Sequence, residues 1–189
     1  MPRDTMRVEN ATLRSRATPV ACAFLLMITA ACSNTPEIQR LSDIELSPQR
    51  QELALREAKK LQSNGQRVWC VPYARNLSGI NIRGNAETWW GQAKDLYDRG
   101  TRPAIGAVMA FSKTSRLPMG HVAVVSEVVS PREVMVDHAN WHRNQVSLKM
   151  AVVDVSPRND WSEVRLESNP GTFGSVYPVN GFIYPSRLN

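Results

Sequence analysis

Apolar residues along this chain keep changing their spacing, and each change marks a new element. Residues 20–28 are almost continuously apolar. Arg14 and Arg16 precede them, and Ala30, Ala31 and Cys32 follow. A basic flank, a short greasy core and a small-residue exit form the order of a secretory signal. The run is too short for a span of about 20 residues. Residues 33–46 are polar and read as a tether. From residue 47 the period becomes helical: Ser47-Pro48 supplies a cap and a first-turn proline, Ala54, Ala58 and Leu61 share a face, and Asn64-Gly65 supplies a stop. A short helix is expected from Cys70, with Pro72 in its first turn and Gly79 at its end. A third is expected over 86–97, with Asn85 as cap, Trp89, Ala93 and Leu96 on one face, and Gly100 as terminator.

Beyond residue 100 the pattern turns to β-branched alternation. Strands are expected at 105–111, 121–129 and 133–140, the last two joined across Ser130-Pro131-Arg132. Shorter ones are expected at 150–155, 163–166 and 182–184. Helices first and antiparallel strands afterwards predict an α+β fold, with the helices packed on one side of the sheet. The expected organisation is a signal peptide over 1–32, a flexible tether over 33–46 and one domain over 47–189.

Cysteine usage sharpens this picture. Cys22 and Cys32 lie in the expected leader, which leaves Cys70 alone in the domain and without a partner for a disulfide. An unpaired thiol in an exported domain is a candidate reactive group, although a lone cysteine is as often a small buried hydrophobe. Thr29-Ala30-Ala31-Cys32 resembles a lipobox, which implies lipidation at Cys32. Ser33, rather than Asp, after it implies an outer-membrane anchor facing the periplasm; plain secretion is the alternative. The net charge is +6, and four arginines against two acids in residues 1–32 leave about +4 on the rest. Mild basicity suits an anionic wall or membrane surface. The basic residues are scattered, so no nucleic-acid partner is expected.

Thiol hydrolysis needs a thiolate, an imidazole to move its proton and a polar group to orient that imidazole. Cys70 at a helix start would feel the positive end of the macrodipole, which favours thiolate. His121 follows Gly120 at the opening of the longest expected strand. In the next strand, Val136, His138 and Asn140 alternate onto one face, with Asp137 and Ala139 on the other. Either His138 or Asn140 could fix the tautomer of His121.

Three segments, Cys70-Val71-Pro72-Tyr73-Ala74-Arg75, Gly120-His121-Val122-Ala123 and His138-Ala139-Asn140-Trp141, together resemble the CHAP domain, the cysteine- and histidine-dependent amidohydrolase/peptidase. Gly181-Phe182-Ile183-Tyr184-Pro185 is similar to that family's closing strand. The resemblance implies a papain-like fold, Cys70 as nucleophile, His121 as base and Asn140 completing the site. His138 stands where many members have Glu, and Trp69 where many have Gln. It also implies hydrolysis of peptidoglycan amides, either the N-acetylmuramoyl-L-alanine link or stem and cross-bridge peptides.

Each residue also has a plainer reading. His121 alone would be a packed strand histidine. Tyr73 and Trp141 could flank the site or simply pack, and at least one of Trp89 and Trp90 belongs to the core. Asp137 is expected at the surface or behind the site. A zinc site drawn from Cys70, His121, His138 and His142 has the wrong spacing for a strand, so no metal or other cofactor is expected. The expected protein is a monomer that meets peptidoglycan, and the membrane only through its lipid. The competing readings are a catalytically silent periplasmic lipoprotein that binds wall or a partner, and a cysteine peptidase or amidase acting on a non-wall substrate.

Overall fold

Ser47 turns the chain into its first helix, α1 (Pro48–Ser63), by accepting a hydrogen bond from Arg50 N at 3.4 Å, and Gly65 closes the far end at φ +71°. The computed structural model describes residues 46–185. The expected leader, its Cys32 and all but the last residue of the expected tether therefore lie outside the described residues. Helix α2 (Cys70–Ser78) ends where Gly79, at φ +79°, returns its N–H to Arg75 O.

Helix α3 (Ala86–Ala93) stops four residues short of the expected 97. Tyr97 N still reaches Ala93 O, but Leu96 is left half exposed. Gly100, expected to end the helix, instead forms with Arg99 a short strand, β1 (Arg99–Gly100), paired with Ile183 and Phe182. Pairing with the last strand outweighs the helical period here. Asn85 occupies the N-cap position without a side-chain cap bond.

The remaining strands are β2 (Val108–Phe111), β3 (His121–Ser130), β4 (Glu133–Ala139), β5 (Val146–Asp154), β6 (Glu163–Asn169) and β7 (Thr172–Ile183). All pair antiparallel in the order β1-β7-β2-β3-β4-β5-β6, and β7 also pairs with β6. β7 closes the ring because its first half, Thr172 to Pro178, lies on β6 and its second half, Val179 to Ile183, lies on β2. The antiparallel sheet expected from the sequence is thus barrel-like.

Closure gives the sheet two cores. Val108, Ala110, Val122, Val124, Ala139 and Ile183 face the helices and pack with Ala58, Leu77 and Trp89. Met109, Phe111, Ala123, Val125, Val136 and Phe182 face inward and pack with Trp161 and Leu166. Strand β3 is therefore buried on both sides from His121 to Val125. Each large aliphatic side chain so placed stabilises the fold by roughly 1.5–3 kcal/mol. His121 shares the alternation of Ala123 and Val125, so its ring sits at the inner end of the barrel.

Gly120 fixes where that ring begins. It has φ +66°, and a Cβ there would lie 2.7 Å from Glu87 N and 3.1 Å from Phe111 O. Glu87 N in turn donates to Met119 O at 2.9 Å, so the start of α3 is tied to the entry of β3. Gly171, at φ +73°, has open space around it. Gly120→Ala should therefore cost more than about 2 kcal/mol, from backbone strain and from displaced backbone together. Gly171→Ala should cost about 1 kcal/mol from strain alone. Urea unfolding midpoints of the two variants check the difference.

Candidate active site

The first turn of a helix has N–H groups with no partner inside the helix. In α2 no side chain caps them. The Cys70 and Val71 N–H groups are directed at the Cys70 sulfur instead, and Val122 N–H from β3 joins them. All three favour a thiolate, as the helix-start position predicts. Burial acts the other way and is the larger effect, so the thiol is pushed up from its ordinary range. Burial thus favours the thiol over the thiolate.

An imidazole lies in the same cleft. Cys70 and His121 both line a cavity of about 640 Å³, together with Arg67, Trp69, Arg116, Met119 and Asn140. A cavity of this size admits a substantial ligand. Trp69 is 51% exposed on one wall and Met119 50% exposed on another. Arg67 lies over the Trp69 ring at 4.3 Å, and the residues lining the cleft include no carboxylate.

His121 Nε2 lies 2.9 Å from His138 Nδ1, and both residues are buried. Trp141 completes a box of rings around them. Its centroid is 5.1 Å from His121, 5.8 Å from His138 in a stacked arrangement, and 5.0 Å from Tyr177 of β7; Phe111 lies 5.6 Å from His121 on another side. Burial pushes His121 down to about 3. It pushes His138 well below its ordinary value too, with the charges of His121 and His142 adding to the effect. Both rings are therefore neutral near pH 7. Neutral imidazole is the form that accepts a proton from a thiol.

Of the two candidates for orienting His121, the structure brings His138 to the ring. Asn140 sits just past β4 at φ +64°, and its Oδ1 accepts from Arg67 Nε and Asn144 N, each at 2.9 Å. It closes the 140–145 turn and holds Arg67 at the cleft. Tyr73 is in the core beneath α1, outside the cleft, and its hydroxyl has no hydrogen-bond partner among the described residues. Burial, then the charge of Asp137, pushes its pKa up. Asp137 is 1% exposed, so of the two positions expected for it, at the surface or behind the site, the surface one does not hold; its Oδ1 accepts from Lys149 N at 2.8 Å and its Oδ2 from Gln51 Nε2 at 3.4 Å. Trp89 is core, and Trp90 stacks under Arg99. His142 is exposed. Among the described residues no group of three His, Cys, Asp or Glu is placed to hold a metal ion.

Sequence reasoning missed Arg67, Arg116, Phe111 and Tyr177, which frame the site. A buried strand aromatic and a loop arginine carry no local signal of such a role.

Compared with known proteins, residues 62–140 match the family model of the CHAP domain. The matched span contains Cys70, His121, His138 and Asn140; Trp141 and Tyr177 lie beyond it. No curated protein matches the chain.

Two neutral buried rings make stability depend on pH. Each folded pKa is depressed, so between the folded value and about 6.5 the unfolded chain binds the extra proton. For His121 the stabilisation is present above about 6.5 and is lost as the pH falls toward 3, about 2–3 kcal/mol of it by pH 4.5; His138 acts in the same direction. Urea unfolding at pH 7 and pH 4.5 should show this fall, and His138→Gln, with one titrating ring fewer, should show a smaller one.

Proposed function

We propose that this chain is an exported cysteine hydrolase that cuts amide bonds in peptidoglycan, with Cys70 as nucleophile, His121 as base and His138 orienting His121. The CHAP domain match suggests an amidase or peptidase acting on peptidoglycan-like substrates. One observation carries the finer reading: an uncapped helix start bearing Cys70 and a strand bearing His121 line one open cleft, with the far nitrogen of His121 engaged by a second buried residue.

In this reading the Cys70 thiol passes its proton to His121 as sulfur attacks the amide carbonyl carbon. First-turn N–H groups of α2 are the donors nearest the developing oxyanion. The C–N bond then breaks, His121 gives the proton to the leaving amine, and a thioester remains. Water deprotonated by His121 cleaves the thioester and restores the thiol. Burial disfavours charge on both Cys70 and His121 before attack.

The cleft supports an anionic substrate, since Arg67 and Arg116 line it without a neighbouring carboxylate. Trp69 offers an exposed flat face for a sugar or peptide. Helices, then an antiparallel sheet, with cysteine on the former and histidine on the latter, accord with a papain-like arrangement. The pattern of residues 1–32 supports export, with lipid at Cys32 and a periplasmic, outer-membrane-anchored location.

Purified residues 33–189 should release new amino termini from cell-wall sacculi. Cys70→Ala and His121→Ala should each lower that rate by about 10³-fold or more. Mass spectrometry of the released fragments would identify the scissile bond. Equal release by the Cys70→Ala variant would end the proposal and leave a wall-binding protein as the better reading.

A further inference from the structure

A neutral histidine has one N–H and one bare nitrogen, so a chain of histidines transmits a choice of tautomer from one end to the other. His121 Nε2 meets His138 Nδ1, and the other nitrogen of His138, Nε2, lies 3.2 Å from the sulfur of Met150. Met150 stands on β5 directly across from Val136, and His138 is two residues further along the same face of β4. A β-bulge between Val136 and His138 shifts the register there. It is at this irregularity that the thioether and the ring meet.

A thioether sulfur has lone pairs and no hydrogen to give, so it can only accept. At 3.2 Å a bare Nε2 would set lone pair against lone pair. The N–H of His138 is therefore on Nε2. Its Nδ1 is then bare and must accept, which places the N–H of His121 on Nε2. The nitrogen of His121 left bare is Nδ1, the one not engaged by His138 and free for the cleft shared with Cys70.

We propose that Met150 is a positioning residue that sets the tautomer of both histidines and so leaves His121 Nδ1 as the basic atom for Cys70. This rests on the hydrolase reading above only for its catalytic consequence. The proton moves are balanced. The thiol proton goes to His121 Nδ1 and later to the leaving amine, while the Nε2–H of each ring stays where it is throughout. With the opposite arrangement, His138 would donate from Nδ1, His121 would carry its hydrogen on Nδ1, and that atom could not accept the thiol proton. Nothing in the chemistry of a methionine side chain other than its acceptor-only character distinguishes the two. The match to the family model ends before Met150.

The sequence holds only three histidines, which makes the test direct. In the full chain with ¹⁵N-labelled histidine, long-range ¹H–¹⁵N spectra at pH 7 should show Nε2–H and bare Nδ1 on both His121 and His138, with exposed His142 as the reference. Met150→Leu keeps the volume and removes the acceptor. It should shift both rings toward a mixture of tautomers and lower kcat on sacculi by about tenfold with KM unchanged. A wild-type His138 with its hydrogen on Nδ1, or a Met150→Leu spectrum identical to wild type, would overturn the proposal. Because the spectra need no substrate, the expected tautomers in a chain that cuts no wall would uphold the positioning role and count against the hydrolase reading alone.

Discussion

Two imidazoles 2.9 Å apart can share a hydrogen bond only while at least one of them lacks a second proton. Everything around them keeps that condition. Phe111, Trp141 and Tyr177 surround the pair, and burial disfavours charge on either ring. The same burial raises the thiol. Burial of this kind makes a dipole aimed at these groups count for more than it would in water. Those dipoles are the N–H groups at the start of α2, which the sequence leaves uncapped.

Strand β3 connects the site to the rest of the molecule. One face supports the helices and thereby the position of Cys70; the other belongs to the barrel interior and carries His121. Cys70 and His121 are thus held by opposite faces of neighbouring structure and line one cleft at an end of the barrel. Gly120 allows this by letting the backbone of α3 and β2 crowd the entry of β3.

Local signals were legible in the sequence because their causes are local. Ser47-Pro48 and Asn64-Gly65 bound α1, and Gly79 ends α2, through contacts within a few residues. Cys70, His121 and His138 could be named because few residue types do thiol chemistry. The same reasoning left His138 and Asn140 equal, since a strand pattern does not show that Asn140 turns away to Arg67. It also extended α3 through Leu96, because nothing nearby announces that Arg99 will pair with Ile183. β7 was reduced to its last residues. Gly174, Pro178 and Gly181 interrupt its alternation, and its pairing with strands on both sides is set by distant chain. Met150 reads from sequence as filler, and only the bulge beside His138 gives it a partner.

The closing role of β7 has a kinetic consequence. Tyr177, which backs Trp141 and so the histidine pair, arrives on the final strand, more than thirty residues after the other rings of the box. Non-local strand pairing is slow to form, because the intervening loop must be ordered before any contact rewards it. The segment that holds Cys70 and both histidines therefore cannot be sealed from water while the nascent polypeptide is still emerging. The box of rings is complete only once β7 has paired with the strands on both its sides.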